Sequence, residues 1–292
     1  MKYAFIILHY CTFDMTVQAI ESLKKLEKFE ESAVIVVDNA SNDQSGSKLK
    51  RKYQSLPNFH ILLNKENLGF AKGNNCGYNY VRQKYSPDFI IFINSDILMI
   101  QKDFLHKIDE IYAGESFHVL GPDIITPEGT HQNPHRMKLF MYKDVKRIAR
   151  NRSIILFYLQ LKRKFHLENK IHFIEDWDNR RGLRERKEII WKQPARDVVL
   201  HGSALIFSRD FISKEANAFY PGTFMWMEEE ILSYLCSIKG YSTFYSPQLA
   251  VLHMGSKTVD NTFNFFEKYV FYSKCLKESA SVLKQLMRDG ES

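Results

Sequence analysis

Four polar stretches and one acidic run carry the residue types that do chemistry. The stretches are His9-Tyr10-Cys11-Thr12, then Asp38 to Asp43 (Asp-Asn-Ala-Ser-Asn-Asp), then Asn64 to Asn75, then Asn94-Ser95-Asp96. A carboxylate at a strand end, such as Asp96, can hold a hard divalent cation, and that ion can bridge two phosphates. The acidic run is Glu228-Glu229-Glu230 at an expected helix start. Neighbouring like charge raises a carboxylate pKa, which suits a general base. Successive helix positions point about 100° apart, so at most one or two of the three can face a cleft. Acidic residues there also complement the helix dipole. His253 is a candidate metal ligand in its neutral form; His9, His131, His135 and His201 are weaker candidates. Asp, Asn and Ser also cap helices and close turns. One polar stretch therefore says little, whereas four in series describe a binding rim.

The elements that must position them alternate. Apolar runs of strand length occupy residues 3–8, 33–37, 59–63, 89–93 and 117–120. Helix-length segments with apolar residues at 3.6 spacing lie at 16–29, 47–55, 71–85 and 102–112. Continuous apolar strands separated by helices predict an α/β fold whose mostly parallel sheet is covered on both faces. Ligands of such sheets bind at the carboxyl ends of the strands, where the polar stretches fall. Gly69, Gly73 and Gly77 recur every four residues along one helical face. That spacing reads as close helix–sheet packing, with Gly69 near a ligand. It is neither the dinucleotide fingerprint nor the phosphate loop of ATPases. Further on, residues 198–201, 204–207, 242–245 and 249–253 read as strands, 228–239 as a helix, and 262–287 as one long or two shorter C-terminal helices.

The chain has 292 residues and a net charge of +7; with 45% hydrophobic and 26% charged residues it is not a disordered chain. With 13 Gly and 8 Pro it is not collagen-like or low in complexity. No apolar run reaches the length of a membrane span, and the N-terminus does not read as a secretory signal. Four scattered cysteines, Cys11, Cys76, Cys236 and Cys275, suggest reduced thiols in a cytoplasmic protein.

Taken in order, these elements resemble an inverting glycosyltransferase of family 2 with the GT-A fold. The resemblance rests on residues 6–10, 36–43, the Asn-x-Gly-Phe-Ala-x-Gly-Asn-Asn element at 67–75, residues 94–96, Gly202-Ser203-Ala204, residues 227–230 and His253. The subgroup it is most similar to contains rhamnosyltransferase-like enzymes that build bacterial O-antigens and capsules. The resemblance implies a catalytic domain over residues 1–257, with a nucleotide-sugar half at 1–125, a basic helical insert at about 138–192 and an acceptor half at 196–257. A helical extension would follow at 258–292. It implies that His9, Tyr10 and Asp38 line the base and ribose pocket, and that Asn67, Gly69, Gly73 and Asn74 border the nucleotide-sugar. Asn94-Ser95-Asp96 stands where the family carries D-x-D, so Asp96, with His253, would hold Mg2+ or Mn2+. Glu229 would be the catalytic base, with Glu228 the alternative. Gly202 and Ser203 would sit near the acceptor. Asn94 departs from the family pattern by removing one carboxylate.

The implied reaction is a single displacement from a dTDP- or UDP-sugar onto a hydroxyl of a glycan or lipid-linked acceptor. It requires Asp38, Asp96, Glu229 and His253 to converge on one cavity. The basic insert at 138–164 has two readings. It is either a solvated helix packing its 154–161 side on the core, or a membrane-surface helix dipping Ile155, Leu156, Tyr158 and Leu159 into the interface. The second reading puts the chain at the inner face of the plasma membrane. The C-terminal helices could pair two copies. Rival functions are a non-catalytic sugar-nucleotide binder or membrane scaffold, a nucleic-acid-binding protein and a nucleotidyltransferase. No recognition pattern for nucleic acid is present, and the stretch after the first strand lacks the glycines a nucleotidyltransferase would carry.

Overall fold

A computed structural model describes residues 1–166, 191–255 and 265–290. In chain order the elements are β1 (Tyr3–His9), α1 (Phe13–Leu23), β2 (Ser32–Asp38), α2 (Ser45–Tyr53), β3 (Phe59–Leu63), α3 (Gly69–Lys84), β4 (Phe89–Asn94) and β5 (Ile97–Met99). Then come α4 (Phe104–Glu115), β6 (Val119–Ile125), α5 (Tyr142–Lys164), β7 (Ala195–Arg196), β8 (Ala204–Ser208) and α6 (Arg209–Ile212). The last are α7 (Glu228–Ile238), β9 (Thr243–His253) and α8 (Phe265–Asp289).

The strands form one sheet in the order β3-β2-β1-β4-β8-β6-β9-β5, with β7 also pairing β9. Strand pleating sends alternate side chains to opposite faces. Tyr3, Phe5 and Ile7 of β1 therefore join α1 and α4 in one apolar cluster. Ala4 and Ile6 join α3 and α7 in the other. Both faces are covered, which is why the strands read as unbroken apolar runs.

The expected parallel pairing holds over most of the ladder, with antiparallel strands added to it. The first four strands pair in parallel, but β8 runs antiparallel between β4 and β6, and β5 and β7 run antiparallel to β9. The sheet is mixed. Residues 198–201 are not a strand; Val199 makes an isolated bridge to Arg136. The two expected strands at 242–245 and 249–253 are one element, β9, whose register against β6 shifts between Pro122 and Asp123. β6 runs on through Gly121 and Pro122, where the sequence suggested an end. The C-terminal segment is one helix over its described length.

Helices α5 and α8 lie antiparallel. Val145 and Ala149 meet Ala280, Leu283 and Met287, together with Met227 and Ile231 of α7. Ile155 and Leu159 meet Phe266 and Tyr269. Two of the residues expected to dip into lipid, Ile155 and Leu159, are thus buried against α8, because the helical period turns them to the same side as Val145 and Ala149. Leu156 is half-buried, and Tyr158 is exposed. Residues 167–190 of the basic insert and 256–257 at the end of the expected catalytic domain lie outside the described residues.

Candidate active site

The polar ends of β1, β2 and β4 meet through a chain of hydrogen bonds. His9 is fully buried at the end of β1. Its Nδ1 lies 2.7 Å from Thr16 Oγ1 and its Nε2 lies 2.8 Å from Ser45 Oγ. Burial lowers its pKa, against the pull of Asp38 and Asp43. His9 is thus a neutral strut beneath the rim. Asp38 Oδ1 is 4.0 Å from His9 Nε2 and accepts the Ser41 amide at 3.2 Å. The absence of a side chain at Gly46 makes room for it: a Cβ there would lie 2.1 Å from Asp38 Oδ2. Thr12 carries the network across to β4, donating to Ser95 Oγ at 3.0 Å. Tyr10 is half-buried beside it.

A second network shapes the start of α3. Asn39 Nδ2 donates to Asn67 Oδ1 and to Gly69 O at 2.8 and 3.1 Å. Asn39 Oδ1 accepts from Asn64 Nδ2 and the Leu68 amide at 3.1 and 3.0 Å. Gly69 has φ +78°, and a Cβ there would strike Phe224 O at 2.2 Å. Gly73 packs on Leu8 and Asn39, and Gly77 on Ile6 and Val37. The Gly-x-x-x-Gly face is therefore a helix–sheet contact. Asn74 Nδ2 turns back to Phe70 O.

Asp96 and His253 come together although they are far apart in sequence, because β5 pairs with the end of β9. His253 Nε2 is 3.1 Å from Asp96 Oδ2, and His253 Nδ1 is 2.6 Å from Gln132 Oε1. The amide oxygen can only accept, so Nδ1 carries the proton. Nε2 then faces the Asp96 carboxylate, and an imidazole nitrogen beside a carboxylate oxygen is a donor set that a divalent cation accepts. Adjacent ligands of an octahedral divalent ion stand about 3 Å apart, which matches this pair. The donors thus fit a hard cation. Among the described residues no group of three His, Cys, Asp or Glu side chains is disposed to hold a metal alone. The remaining positions would fall to the oxygens of a bound diphosphate or to water. Asn94 N donates to Ser203 O at 2.9 Å, which ties this strand end to the loop before β8.

The three glutamates of α7 separate by role. Glu228 is buried and accepts from Thr223 Oγ1 at 3.0 Å. Burial, with the charge of Glu229, pushes its pKa up to about 8. Glu230 is also buried, 3.6 Å from His135 Nε2 and 3.4 Å from an Arg136 nitrogen. Burial alone would raise its pKa, but those two partners outweigh it and hold the carboxyl below its usual range. His135 moves the other way. Burial opposes its charge, yet the hydrogen bond to Glu230 and the charges of Glu229 and Glu230 keep its pKa raised. Glu229 is half-buried, and its Oε1 accepts the Gly202 amide at 3.1 Å. Burial and the charge of Glu230 raise its pKa. Glu229 retains some exposure, beside Gly202 and Ser203.

His201 links the two halves of the site. Its ring stands 5.9 Å from that of His253 and 5.5 Å from that of His135. Its Nδ1 is 2.9 Å from Ser203 Oγ, and its amide donates to Asn133 Oδ1 at 3.0 Å. The row His253–His201–His135 runs from Asp96 to the glutamates. In the sequence His135 and His201 are weaker candidates, Thr12 and Asn39 stand only within their polar stretches, and Gln132 is not marked. Their signal lies in long-range pairing, with Arg136 bridging Val199. Contacts and chain neighbours run from Asp38 through His9, Thr12 and Ser95 to Asp96, then through His253, His201 and Gly202 to Glu229. None of Asp38, Asp96, Glu229 and His253 lines the two cavities of about 250 and 410 Å³ that lie around Cys236 and Tyr241 toward the far end of α7.

Comparisons with known proteins identify the fold and the family. The model of glycosyl transferase family 2 matches residues 4–174. The dTDP-rhamnosyl transferase RfbF of Shigella flexneri is 28% identical over 123 residues, 42% of this chain and 40% of the relative. The chain thus spans about two fifths of that relative's length. Among solved structures, S. aureus TarS 1–349 in complex with UDP-GlcNAc aligns with a TM-score of 0.54 at 15% identity, covering 94% of this chain and 66% of TarS. GalNAc-T7 with UDP, GalNAc and Mn2+ aligns with a TM-score of 0.57 at 13% identity, covering 100% of this chain and 54% of that one. At such identities the likeness shows the fold, and the fold is that of the GT-A glycosyltransferases. With its family model covering more than half of its residues and its sheet matching that fold, the chain belongs to glycosyl transferase family 2.

Proposed function

We propose that this chain moves a hexosyl or rhamnosyl unit from a dTDP- or UDP-sugar to a hydroxyl of a glycan or lipid-linked acceptor, with inversion, in the cytoplasmic synthesis of a cell-surface polysaccharide. The observation that carries the reading is the sorting of the acidic run: Glu228 and Glu230 are buried and engaged, while Glu229 stays partly open at Gly202 with a raised pKa. A carboxylate whose pKa is raised is a stronger base for proton abstraction. In this reading Glu229 takes the proton of the acceptor hydroxyl. The oxygen forms its bond to the anomeric carbon from the face opposite the diphosphate, and the bond to the diphosphate breaks. One in-line attack inverts the centre.

Asp96 and His253 would hold Mg2+ or Mn2+, which when bound offsets charge on the leaving diphosphate. The likeness to the dTDP-rhamnosyl transferase RfbF supports a dTDP-sugar, and that to the TarS complex a UDP-sugar. The roles of Tyr10, Asp38, Asn67, Gly69, Gly73 and Asn74 at the donor, and of Gly202 and Ser203 at the acceptor, belong to the same proposal.

The test is a panel of nucleotide-sugars with Mg2+ or Mn2+, scored for nucleoside-diphosphate release and for transfer. Glu229→Gln should lower turnover by roughly 10²–10⁴-fold while a nucleoside diphosphate still raises the melting temperature. Full turnover in that variant would move the base elsewhere.

A further inference from the structure

Helix α5 is buried on one side and exposed on the other. Its inner row is Val145, Ala149, Ile155 and Leu159, packed on α7 and α8. On a helix a solvent row is normally polar. Here the second half of the outer row is Ile154 (60% exposed), Phe157 (63%), Tyr158 (37%) and Leu161 (39%), continued by Phe165 (64%) just past the helix end. At 100° per residue these positions fall within a stripe about 100° wide. The first half of the same side carries Lys143, Lys146, Arg147 and Arg150, all exposed. The helix is 23 residues long, a rod of about 34 Å with cations along one half and aromatic and aliphatic side chains along the other. Among the described residues no helix is long and apolar enough to cross a membrane.

From this face we infer that α5 seats the protein on an anionic lipid surface, lying in the interface plane. Apolar side chains of this kind enter the headgroup–acyl boundary while basic residues meet anionic headgroups. A second copy of the chain fits less well. Asp144 is the acidic residue of α5, and it is engaged by Arg147 and by the Met141 amide. Two such faces would therefore bring cations together without a negative complement, whereas an anionic surface supplies one.

Docking also has a geometric consequence for the proposed reaction. The inner row of α5 touches Met227 and Ile231, which flank Glu229 on α7. Lipid contact on α5 thus lies one helix layer away from the proposed base, a placement suited to an acceptor carried on lipid. That consequence rests on the glycosyl-transfer reading; the docking itself does not.

The test is co-sedimentation of the full chain with vesicles of phosphatidylcholine alone and of phosphatidylcholine mixed with phosphatidylglycerol, without sugar-nucleotide. The chain should pellet with the mixed vesicles, pellet little with the neutral ones, and lose binding as salt screens the attraction. Phe157→Ser with Leu161→Ser should lower partitioning by about tenfold or more, and Lys146→Glu with Arg150→Glu should abolish the preference for anionic vesicles. All four residues are exposed, so unchanged melting curves will show that the variants are folded. Glu229→Gln should bind vesicles like the parent, which separates this proposal from the catalytic one. The inference is overturned if the parent stays in the supernatant at low salt, or if the folded variants pellet as the parent does. It is also overturned if sedimentation equilibrium shows a dimer lost in Phe157→Ser/Leu161→Ser while vesicles bind nothing, since the occupant would then be a second copy.

Discussion

Three consecutive glutamates with the same intrinsic chemistry end up in three electrical environments. The neighbours decide: Thr223 for Glu228, the Gly202 amide for Glu229, and His135 with Arg136 for Glu230. The folded chain keeps the Glu228 proton to about pH 8, while an unfolded chain releases it near the ordinary value of 4.5. Between those values the native state holds more protons than the unfolded one, so this group makes stability fall as pH rises. Glu228→Gln removes that dependence and keeps an oxygen to accept from Thr223. Melting curves between pH 5 and 8 should be flatter for the variant, with a gain that is largest at pH 8 and several kcal/mol at most. An unaltered slope would show that Glu228 is not the proton-holding group. Gly202 gives a second prediction. A Cβ there would approach Glu229 Oε1 to 2.8 Å and push the carboxylate from its amide. Misplacing a catalytic group by about 1 Å can cost about 10²-fold, so Gly202→Ala should lose turnover on that scale. The melting temperature should stay close to the parent's, because the contact is with a flexible side-chain end. At this scale residue type and strand-end position mark Asp96 and His253, while the choice of Glu229 within the acidic run comes from the family resemblance. The sequence leaves Gln132 unmarked and His201 a weak candidate, because their partners come from pairings across more than 60 positions.

At the level of elements, two of the three glycines of α3, Gly69 and Gly77, have different duties. Gly77 lies flat on the sheet, and a Cβ would meet Ile6 Cγ2 at 2.7 Å and Val37 Cγ2 at 3.0 Å. Gly77→Ala should overpack that contact at a cost of about 1–3 kcal/mol, read as a lower melting temperature with nucleotide binding kept. Gly69 has a left-handed φ and faces backbone, which cannot yield as a side-chain end can. Gly69→Ala should displace the loop around Phe224, whose carbonyl accepts the Phe70 amide at 2.7 Å. Nucleotide binding should then fall along with stability. Equal behaviour of the two variants would show that the helix start has no separate role. The regular spacing of these glycines was legible in the sequence as packing, but the partner of Gly69 was not. The longer strands were legible too, since burial on both faces makes each an apolar run. The apolar run of β5, Ile97–Met99, is too short to read as a strand, and β7 is two residues, Ala195–Arg196. The antiparallel direction of β8 depends on which neighbours it enters between, which local composition does not encode. The helical period of α5 was readable, but not which of its rows would meet α8.

The molecule as a whole brings its two halves together at one pair of side chains. Asp96 leaves the parallel half at the end of β4, and His253 ends β9 in the mixed half. The Met254 amide donates to Asp96 O at 2.9 Å, so the backbone holds the two chain segments together independently of the side chains. A cation at this pair would therefore add little to the fold and much to the grip on a diphosphate. Chelation alone should leave the melting temperature of the chain nearly unchanged. It should, however, abolish the rise in melting temperature given by dTDP or UDP, and Mg2+ or Mn2+ should restore that rise. His253→Ala keeps the backbone pairing and removes one donor, so the cation concentration needed for half of the nucleotide effect should increase by about tenfold or more. Asp96→Asn should act in the same direction, since it removes the charge that attracts the ion. If nucleotide still raises the melting temperature fully in the presence of chelator, the diphosphate is gripped without a cation. The pair would then act as a hydrogen-bonded link between the halves, and Asn94, which replaces a carboxylate in the family pattern, would be the sequence sign of that change.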